Sequence, residues 1–382
     1  MSARRMRGLA LALGVAVAIA VAGALLLQRP EEAATGTGDA TGTDALEAFL
    51  AEAGGDGFEP LAGAWTLSLP ADFGAHDAAR AETWTITAHL RGLDGARVGL
   101  SFALSRYGLI GPDDPARDAP WTLATLHTAQ IALSGEGAIA SASEERFGRG
   151  DGIAGHDPAS RQVWLDDWTL AYGTGAGGQG LTLAATVEGV PVRLSLAPSK
   201  EAVVAQGAQE APTRGFVMPR MDVSGTIGVG ADAAEVTGTA WIDRLWGDLP
   251  VPGGPIAYDR LVMQLPDGVD ISAVRTRRVG SDGAGTVDGL IVEASGATRA
   301  FDGAAATLEI IERREVEGGA AYPVGWRLTG AGFDLRAVAS GGGQGRDFLS
   351  PVWLGPVRVE GTYDGAPVDG AGTLLLTGYE AR

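Results

Sequence analysis

The feature that most constrains the fold is a succession of short segments in which apolar and polar residues alternate. Alternation with a period of two is typical of a half-buried strand, because successive side chains of a strand point to opposite faces. In the second half of the chain these segments follow one another without a helical period between them. They are 222–229, 235–243, 258–265, 269–277, 286–294, 305–313, 324–329, 333–339, 357–363 and 372–377. About ten strands in roughly 165 residues predict a barrel.

The first half of the chain shows the same pattern at 83–90 and 98–104, with a glycine-rich turn between the two segments. A polar stretch rich in Ala and Gln, 201–214, has no apolar period and is therefore predicted to connect two domains. The chain has 382 residues, 45% of them hydrophobic, which is enough for two ordinary domains with complete cores. We predict an all-β chain with one barrel over 58–205 and a second over 215–382.

The N-terminal segment, residues 1–30, is predicted to anchor the chain in a membrane. A cluster of arginines over 4–7 precedes an uncharged stretch, 8–27, which at helical rise spans about 30 Å, the thickness of a bilayer core. The basic flank predicts that the N-terminus stays in the cytoplasm, which places the remaining chain on the periplasmic side of a bacterial inner membrane. The alternative is a signal peptide cleaved after the small-residue site at 20–22, which would release the chain into the periplasm.

Residues 31–57 are predicted to be a tether. The part over 31–44 consists of small, polar and acidic residues, which is typical of a flexible linker. Apolar residues at helical spacing follow Asp44, a residue suited to capping a helix N-terminus. The sequence therefore predicts one short helix over 44–53.

Composition and residue spacing exclude several classes of function. The formal net charge of −18 argues against a nucleic-acid partner, because such proteins carry clustered Lys and Arg on one face. The chain has no cysteine, which excludes disulfides, thiol catalysis and cysteine-based zinc sites. Its four histidines are scattered, and no serine-nucleophile or phosphate-binding glycine motif is present. We expect neither a metal nor another cofactor.

The run VTGTAWIDRLWG, residues 236–247, is the strongest candidate for a functional site. A strand here places Trp241 and Asp243 on one face and the intervening residues on the other. A carboxyl beside an indole in an apolar barrel has a raised pKa and can donate or relay a proton, which makes Asp243 the candidate catalytic residue. The alternative is that Asp243 is ionised and paired with Arg244 or another arginine at the barrel rim.

This run contains the pattern Gly-x-Ala-Trp-x-Asp-x-x-Trp-Gly and resembles the signature of the AttH / carotenoid 1,2-hydratase (CrtC-type) lipocalin-like family, often described as predicted secreted hydrolases. Weaker matches to the family follow one another in order from Trp84 to Tyr379. They are Trp84, Ala88-His89-Leu90, Gly95, Phe102, Arg106, His127, Ala129, 146–149, Trp168, 194–200, Gln264-Leu265, Asp267-Gly268, Gly370, Gly372 and 376–379. The resemblance implies two lipocalin-like barrels in tandem.

The resemblance also implies a role for the segment that follows the signature. Tyr258 and Asp259 lie where the family carries an aromatic-Asp-aromatic segment, and Tyr258 is the candidate orienting hydroxyl of a catalytic pair with Asp243. Arg260 replaces an aromatic residue of the family pattern, and Leu245 replaces a polar one. Both replacements lie beside the residues that an acid-catalysed hydration would need.

The candidate ligand-binding residues are Trp241, Trp246, Arg244, Asp259, Arg106, His127 and Trp168. A different role stays open for some of them. The indoles of the signature can fill the core instead of stacking on a ligand. Arg106 can be a structural salt-bridge partner, and His127 can be a hydrogen-bonded structural residue.

Two classes of function therefore remain open. The first is a membrane-tethered periplasmic protein that binds an isoprenoid, lipid or polyketide-like molecule in a barrel, since barrel interiors and mouths bind apolar ligands. In this class the resemblance suggests a carrier or accessory subunit of an ABC-type export system, with a membrane transporter as partner. The second is a cofactor-independent hydratase or hydrolase-like enzyme with Asp243 as proton donor and Tyr258 as orienting hydroxyl.

Overall fold

The computed structural model describes residues 57–58, 61, 63–119, 122–135, 139, 141–150, 152–204, 213–230, 233–247, 256–278, 285–316, 321–345, 348 and 352–379. The predicted anchor and the predicted helix over 44–53 lie outside these residues, as does almost all of the predicted tether. Within the described part of the chain, no helix has the length and apolar character that a membrane span requires.

The described residues form 21 strands and three short 3-10 helices, and no α-helix. The strands are β1 Ala81–Gly92, β2 Arg97–Gly108, β3 Thr125–Gly135, β4 Ala142–Arg149, β5 Ala154–Asp157, β6 Gln162–Leu165, β7 Trp168–Thr174, β8 Gly180–Val187, β9 Val190–Pro198, β10 Thr213–Ile227, β11 Ala234–Gly247, β12 Ile256–Gln264, β13 Asp270–Arg278, β14 Thr286–Val292, β15 Thr298–Asp302, β16 Ala306–Glu315, β17 Ala321–Gly330, β18 Phe333–Ala339, β19 Gly343–Gly345, β20 Val352–Tyr363 and β21 Ala366–Thr377. The 3-10 helices are Ala71–Phe73, Pro115–Asp118 and Ala176–Gly178. The all-β prediction is confirmed.

The strands make two large curled sheets, which we call barrel 1 (β1–β11) and barrel 2 (β12–β21). The order in barrel 1 is β4-β3-β2-β1-β11-β10-β9-β8-β7-β6-β5, and in barrel 2 it is β15-β14-β13-β12-β21-β20-β18-β17-β16, with β19 paired to β20. In each sheet the first and last strands pair with each other, and the two edges are strands that follow one another in the sequence. This is the lipocalin-like, up-and-down arrangement.

The predicted domain boundary at 201–214 is not where the sheets divide. This stretch connects β9 to β10, and β10 and β11 belong to barrel 1, where they pair with β9 and β1. The division falls at 248–255, so the signature run lies in barrel 1 rather than in the second barrel. The pairing of β1 with β11 joins residues far apart in the chain, and local composition carries no signal for such a pairing.

Alternating side chains fill each barrel. In barrel 1 the even-numbered apolar residues of β1 and β2 and the inward-facing apolar residues of the other strands form one buried cluster that includes Trp84, Phe102 and Trp168. Barrel 2 has its own cluster around Trp326 and Trp353. Each barrel therefore has an independent core of packed side chains.

The free edge β4 of barrel 1 is held by side chains instead of a strand ladder. Arg146 on β4 forms ion pairs with Asp166 at 3.2 Å and with Asp167, and donates to the carbonyl of Thr186 on β8 at 3.2 Å. The guanidinium also lies 4.3 Å from the centroid of the Trp168 ring. This one arginine bridges the gap between the edge strand β4 and the opposite wall of the barrel.

The two barrels pack on each other through apolar clusters, such as that of Trp241 with Val262, and through polar contacts. β1, β2 and β3 lie against β20 and β21, and the Thr373 hydroxyl donates to the carbonyl of Ala88 at 3.0 Å. Asp270 of barrel 2 is fully buried and pairs with Lys200 at 2.6 Å and Arg220 at 2.8 Å. Arg220 lies in a bulge of β10 at Pro219, which has no N–H to donate to the ladder.

Candidate functional site

The two faces of β11, the strand that contains the signature run, point into different surroundings. Ala240, Ile242 and Trp246 belong to the core of barrel 1, as the alternation predicts. Trp241 and Asp243 point out of barrel 1 and are 1% exposed because barrel 2 covers them. The expectation that Asp243 lies inside a barrel is therefore corrected: it lies between the two barrels.

Asp243 is held by one indole and one guanidinium. Trp241 Nε1 donates to Oδ1 at 2.9 Å, and Arg260 Nη2 of β12 lies 2.7 Å from Oδ2. Burial raises the pKa of Asp243, while Arg260 and the indole hydrogen bond oppose the rise. The predicted arginine partner exists, but it is Arg260 from the other barrel and not Arg244.

Arg260 is fully buried, yet much of its hydrogen-bonding capacity is unused. Among the described residues, its Nε and Nη1 have no hydrogen-bond partner. A buried guanidinium with unmade hydrogen bonds is costly, because each N–H has lost its water. The same charge that pairs with Asp243 can therefore also bind an acceptor oxygen of a ligand.

A ladder of threonine hydroxyls on β1 lies beside this pair. Thr85 and Thr87 are the cross-strand partners of Asp243 and Trp241, and Thr83 follows on the same face. The three hydroxyl oxygens are buried and have no hydrogen-bond partner among the described residues. Sequence reasoning missed these residues, although the alternation over 83–90 already placed the three on one face.

Tyr258 lies two residues before Arg260 on the same face of β12. It is 3% exposed, and burial raises the pKa of its hydroxyl. Its backbone N–H donates to the Thr377 hydroxyl at 2.8 Å, which fixes this end of β12 against β21. Trp241, Asp243, Arg260 and the threonine ladder, together with Tyr258, are called the interbarrel site below.

Arg244, Arg106 and Trp246, three predicted ligand-binding residues, lie inside barrel 1. Arg106 Nε and Arg244 Nη2 each lie 2.5 Å from a different carboxylate oxygen of Glu82, and all three charged groups are buried. Burial alone would raise the pKa of Glu82, but the two guanidinium groups hold it well below its usual range. Sequence reasoning missed Glu82, the group that brings these arginines together.

Backbone carbonyls accept hydrogen bonds from most of the remaining donors of this cluster, while Arg106 Nη1 has no hydrogen-bond partner among the described residues. Arg244 donates to the carbonyls of Phe73 and Gly74, and Arg106 donates to those of His76 and Ala79. The segment over 71–80 therefore covers this end of barrel 1 and is pinned to it. The structural salt bridge that the sequence left open for Arg106 is present in the structure.

His127 is in the same layer of barrel 1, directly across from Arg106 on β3. It is 3% exposed, and burial followed by the charge of Arg106 lowers its pKa to about 3. Its Nδ1 atom has no hydrogen-bond partner among the described residues. Trp168 lies deeper in this core and donates from Nε1 to the carbonyl of Thr186 at 2.8 Å.

Asp259 points to the opposite side of β12 and lies inside barrel 2. It pairs with Arg275 at 2.6 Å, and Arg277 Nε lies 3.6 Å away. Burial raises the pKa of Asp259, and these two arginines oppose the rise. The nine predicted site residues thus fall into three separate places: Trp241, Asp243 and Tyr258 between the barrels, Asp259 in barrel 2, and the other five in barrel 1.

The described residues contain no group of three side chains that could hold a metal ion. The interbarrel site and the Asp259 cluster of barrel 2 both join a raised carboxyl pKa to unmade hydrogen bonds, but the interbarrel site also has the ladder of three unbonded threonine hydroxyls. It can therefore bind an oxygen-bearing group and move a proton at Asp243.

The chain resembles known proteins both in sequence and in fold. A model of the AttH-like family matches residues 60–379. A Nitrosomonas europaea protein assigned to AttH has the same fold, with a TM-score of 0.70 and 24% identity over 85% of this chain and 100% of that chain. Kievitone hydratase from Nectria haematococca superposes with a TM-score of 0.56 at 15% identity, over 84% of this chain and 98% of that chain. No curated protein matches the sequence.

Proposed function

Because the chain belongs to the AttH-like family, we propose that it binds a hydrophobic molecule with an oxygen-bearing end, and that it does so between its two lipocalin-like barrels. The observation that carries this proposal is the buried guanidinium of Arg260, which has two nitrogens without a partner among the described residues. A carbonyl or hydroxyl oxygen would complete these bonds, and the threonine ladder would bond further oxygens. An isoprenoid, lipid or polyketide-like molecule supplies the apolar body.

The proposed setting is the periplasmic side of an inner membrane. The support is the uncharged stretch at 8–27 behind its arginine cluster, which has the length and flanks of an anchor. A protein tethered there could receive a hydrophobic molecule from the bilayer or from a membrane transporter. Without cleavage, the full-length chain should remain in the membrane fraction after a wash with high salt, whereas a cleaved chain should be soluble.

The binding proposal is tested by extracting the full-length chain, purified in mild detergent, with organic solvent and identifying bound molecules by mass spectrometry. Arg260→Lys keeps a positive charge beside Asp243 but removes the free guanidinium edge. We expect this variant to retain about ten-fold less of the bound molecule than the wild-type chain, the effect of losing one or two hydrogen bonds to a charged group.

The matched control is Arg336→Lys, because Arg336 is half exposed on the outside of barrel 2 and away from the interbarrel site. It should retain the ligand at the wild-type level. Melting temperatures of both variants distinguish lost binding from lost folding. The proposal would be wrong if the extract contained no apolar compound and the purified chain also failed to take up added apolar compounds.

A second candidate function is hydration, the class of reaction in the name of the structural neighbour kievitone hydratase, and we propose a carbon–carbon double bond as the group hydrated. The raised pKa of Asp243 favours it, because a protonated carboxyl is a proton donor. The carboxyl would protonate one alkene carbon, water would add to the other, and the proton lost by that water would return to the carboxylate. Tyr258 would orient the water or substrate.

Asp243→Asn separates the two functions. The amide keeps the size of the side chain but cannot supply the proton, so a hydratase should lose about 10²–10⁴-fold in rate. A binding protein should keep its ligand, with an affinity change of about 1 kcal/mol. The measurement combines ligand retention with turnover of whatever unsaturated molecule is extracted from the wild-type chain. Unchanged turnover in a folded variant would exclude Asp243 as the proton donor.

A further inference from the structure

The two most exposed large hydrophobic side chains of the described residues lie at the tips of hairpins. Leu93 is 82% exposed in the turn between β1 and β2, and Val229 is 63% exposed in the turn between β10 and β11. Neither side chain belongs to the core of a barrel. Hairpin turns favour glycine and short polar residues, because these adopt the turn conformations or bond to the backbone. An aliphatic residue at each tip departs from this preference with no gain in core packing, which is typical of a functional position.

The two tips are neighbours at one end of barrel 1. Gly92, the last residue of β1, lies opposite Val236 near the start of β11, and β10 ends opposite the first residue of β11. Both turns therefore lie at the same end of the sheet. The strand order β2-β1-β11-β10 separates them by about two strand spacings, or ~10 Å. Leu93 and Val229 thus form a pair, which we call the tip pair, at the end opposite to the one that residues 71–80 cover.

A lipid bilayer fits the tip pair better than a protein surface does. Two aliphatic side chains supply much less area than the ~800 Å² per partner that a standard protein interface buries. A bilayer accepts single side chains, because apolar groups enter the acyl boundary while neighbouring charged groups stay among the headgroups. Arg91 and Asp94, both exposed beside Leu93, are such neighbours. The formal net charge of −18 argues against attraction to an anionic surface, so the contact is one of apolar insertion.

The chain that precedes barrel 1 is long enough for the tip pair to face the membrane. The chain enters barrel 1 at the covered end, and the 12 residues of β1 span about 40 Å from there to the tips. About 30 residues separate the uncharged stretch at 8–27 from Gly57, and a chain of that length reaches up to ~100 Å. An anchor at 8–27 is therefore compatible with a barrel whose tips lie on the bilayer.

We propose, given the membrane setting proposed above, that Leu93 and Val229 insert into the surface of the bilayer that holds the anchor. The tip pair and the anchor then hold barrel 1 at two places, so the docked barrels have one fixed orientation on the membrane. The contact does not depend on the identity of the ligand.

The test uses the absence of cysteine, which allows a single fluorophore to be placed at a chosen residue. The full-length chain with Val229→Cys is labelled with the fluorophore NBD, reconstituted into phosphatidylcholine vesicles and quenched by a nitroxide-labelled lipid. The reference is Ala159→Cys, an exposed position in the turn after β5, whose His156 lies 3.6 Å from Asp77 of the covering segment. We expect emission at shorter wavelength and quenching at least about three-fold stronger at position 229 than at 159, because only the tips enter the acyl boundary.

A charge at the other tip should oppose the insertion. Leu93→Asp, added to labelled Val229→Cys, should reduce the quenching at least about three-fold, because the carboxylate would lose its water in the bilayer. The control is Ile311→Asp, which places the same charge at an exposed apolar position of β16 in barrel 2 and should leave the quenching unchanged. All these positions are exposed, so the variants should melt at the wild-type temperature.

Three results would each overturn the proposal: equal quenching at 159 and 229, unchanged quenching after Leu93→Asp, or a chain that does not float with the vesicles. The double variant Leu93→Asp/Val229→Asp should retain as much extracted hydrophobic molecule in detergent as the wild type does. Failure of ligand binding and failure of membrane contact are therefore separate observations.

Discussion

At the scale of single residues, the buried carboxyl groups differ in how many arginines and hydrogen-bond donors stabilise their negative charge. Glu82 is bonded by two arginines, whereas Asp243 has one arginine and one indole. Asp288 on β14 has the least: it is 5% exposed and its Oδ2 has no hydrogen-bond partner among the described residues. The pKa of Glu82 is lowered, whereas the pKa values of Asp243 and Asp288 are raised, because fewer partners oppose the desolvation of these two carboxyls.

Asp288 should make the stability of the chain depend on pH. Burial, followed by the like charge of its cross-strand neighbour Asp302, raises the pKa of Asp288 from 3.8 to about 6. The folded chain thus binds this proton more tightly than the unfolded chain, so stability decreases as pH rises from about 4 to about 6. Asp288→Asn removes the ionisation, and its melting temperature should decrease less over this range than that of the wild type.

Thermal melts at half-unit pH steps from 4 to 7 give this comparison. Asp369→Asn, at an exposed position of β21, is the control and should follow the wild-type curve. If the melting temperatures of Asp288→Asn and the wild type change in parallel over the whole pH range, Asp288 does not have a raised pKa.

At the scale of strands, the two edges of barrel 1 show how a sheet can close without a continuous ladder. β4 and β5 are the edges, and an unpaired edge exposes N–H and C=O groups that would template association. Arg146 and Glu144 reach from β4 to the opposite wall, where Glu144 accepts a hydrogen bond from the Glu188 backbone N–H at 2.9 Å. These side chains hold the edge in place.

Arg146→Gln should therefore loosen β4 specifically. The variant loses the ion pairs of the guanidinium with carboxylates, its hydrogen bond to the Thr186 carbonyl and its contact with the Trp168 ring. The edge strand β4 should therefore open more often. We expect amide hydrogen exchange in β4 to be at least ten-fold faster, with exchange in β20 and β21 unchanged. Arg327→Gln, which removes an exposed arginine–aspartate pair of barrel 2, is the control. Exchange in β4 at the wild-type rate would contradict this account of the closure.

At the scale of the whole molecule, the two barrels repeat one plan. In each, the first strand pairs with the last, and a buried acid on the first strand lies directly opposite an arginine on the second. These pairs are Glu82 with Arg106 and Asp259 with Arg275. The outer faces of the repeats then meet, which buries Asp243, Arg260 and Asp270 between them. The side chains of the interbarrel site therefore come from both barrels, and the site exists only while the barrels are docked.

Asp270→Asn should uncouple the barrels. The carboxylate pairs with two cations of barrel 1, and its removal leaves the partly buried charges of Lys200 and Arg220 without this partner, a cost of at most about 3–5 kcal/mol. We expect a lower melting temperature and a broadened or split transition in scanning calorimetry, because each barrel has its own core. The triple variant Lys200→Met/Arg220→Met/Asp270→Leu replaces the whole cluster with apolar groups and should recover most of the loss. A single sharp transition at the wild-type temperature in Asp270→Asn would show that this cluster does not couple the barrels.

Several properties of this protein could be read from the sequence because they depend on neighbours in the chain. Alternation predicted the strands, including ten segments of the second half that each overlap an observed strand. It also assigned the faces of β11, since the side-chain direction of a strand reverses at every residue. The turn pair Asp364-Gly365 joins β20 to β21 with positive φ angles of 48° and 80°, as its residue types predict.

The remaining features were decided by tertiary structure, because they depend on which distant strands meet. Alternation states that Trp241 and Asp243 share a face, but only the pairing of β1 with β11 and the docking of barrel 2 turn that face away from a barrel interior. The same docking gives Asp243 the arginine of β12 instead of the adjacent Arg244, whose side chain points into barrel 1 toward Glu82. It also buries Thr83, Thr85 and Thr87, which on a single barrel would face water. The sequence by itself determined the strands and their two faces, and the tertiary structure decided which face became the core and which became the interbarrel site.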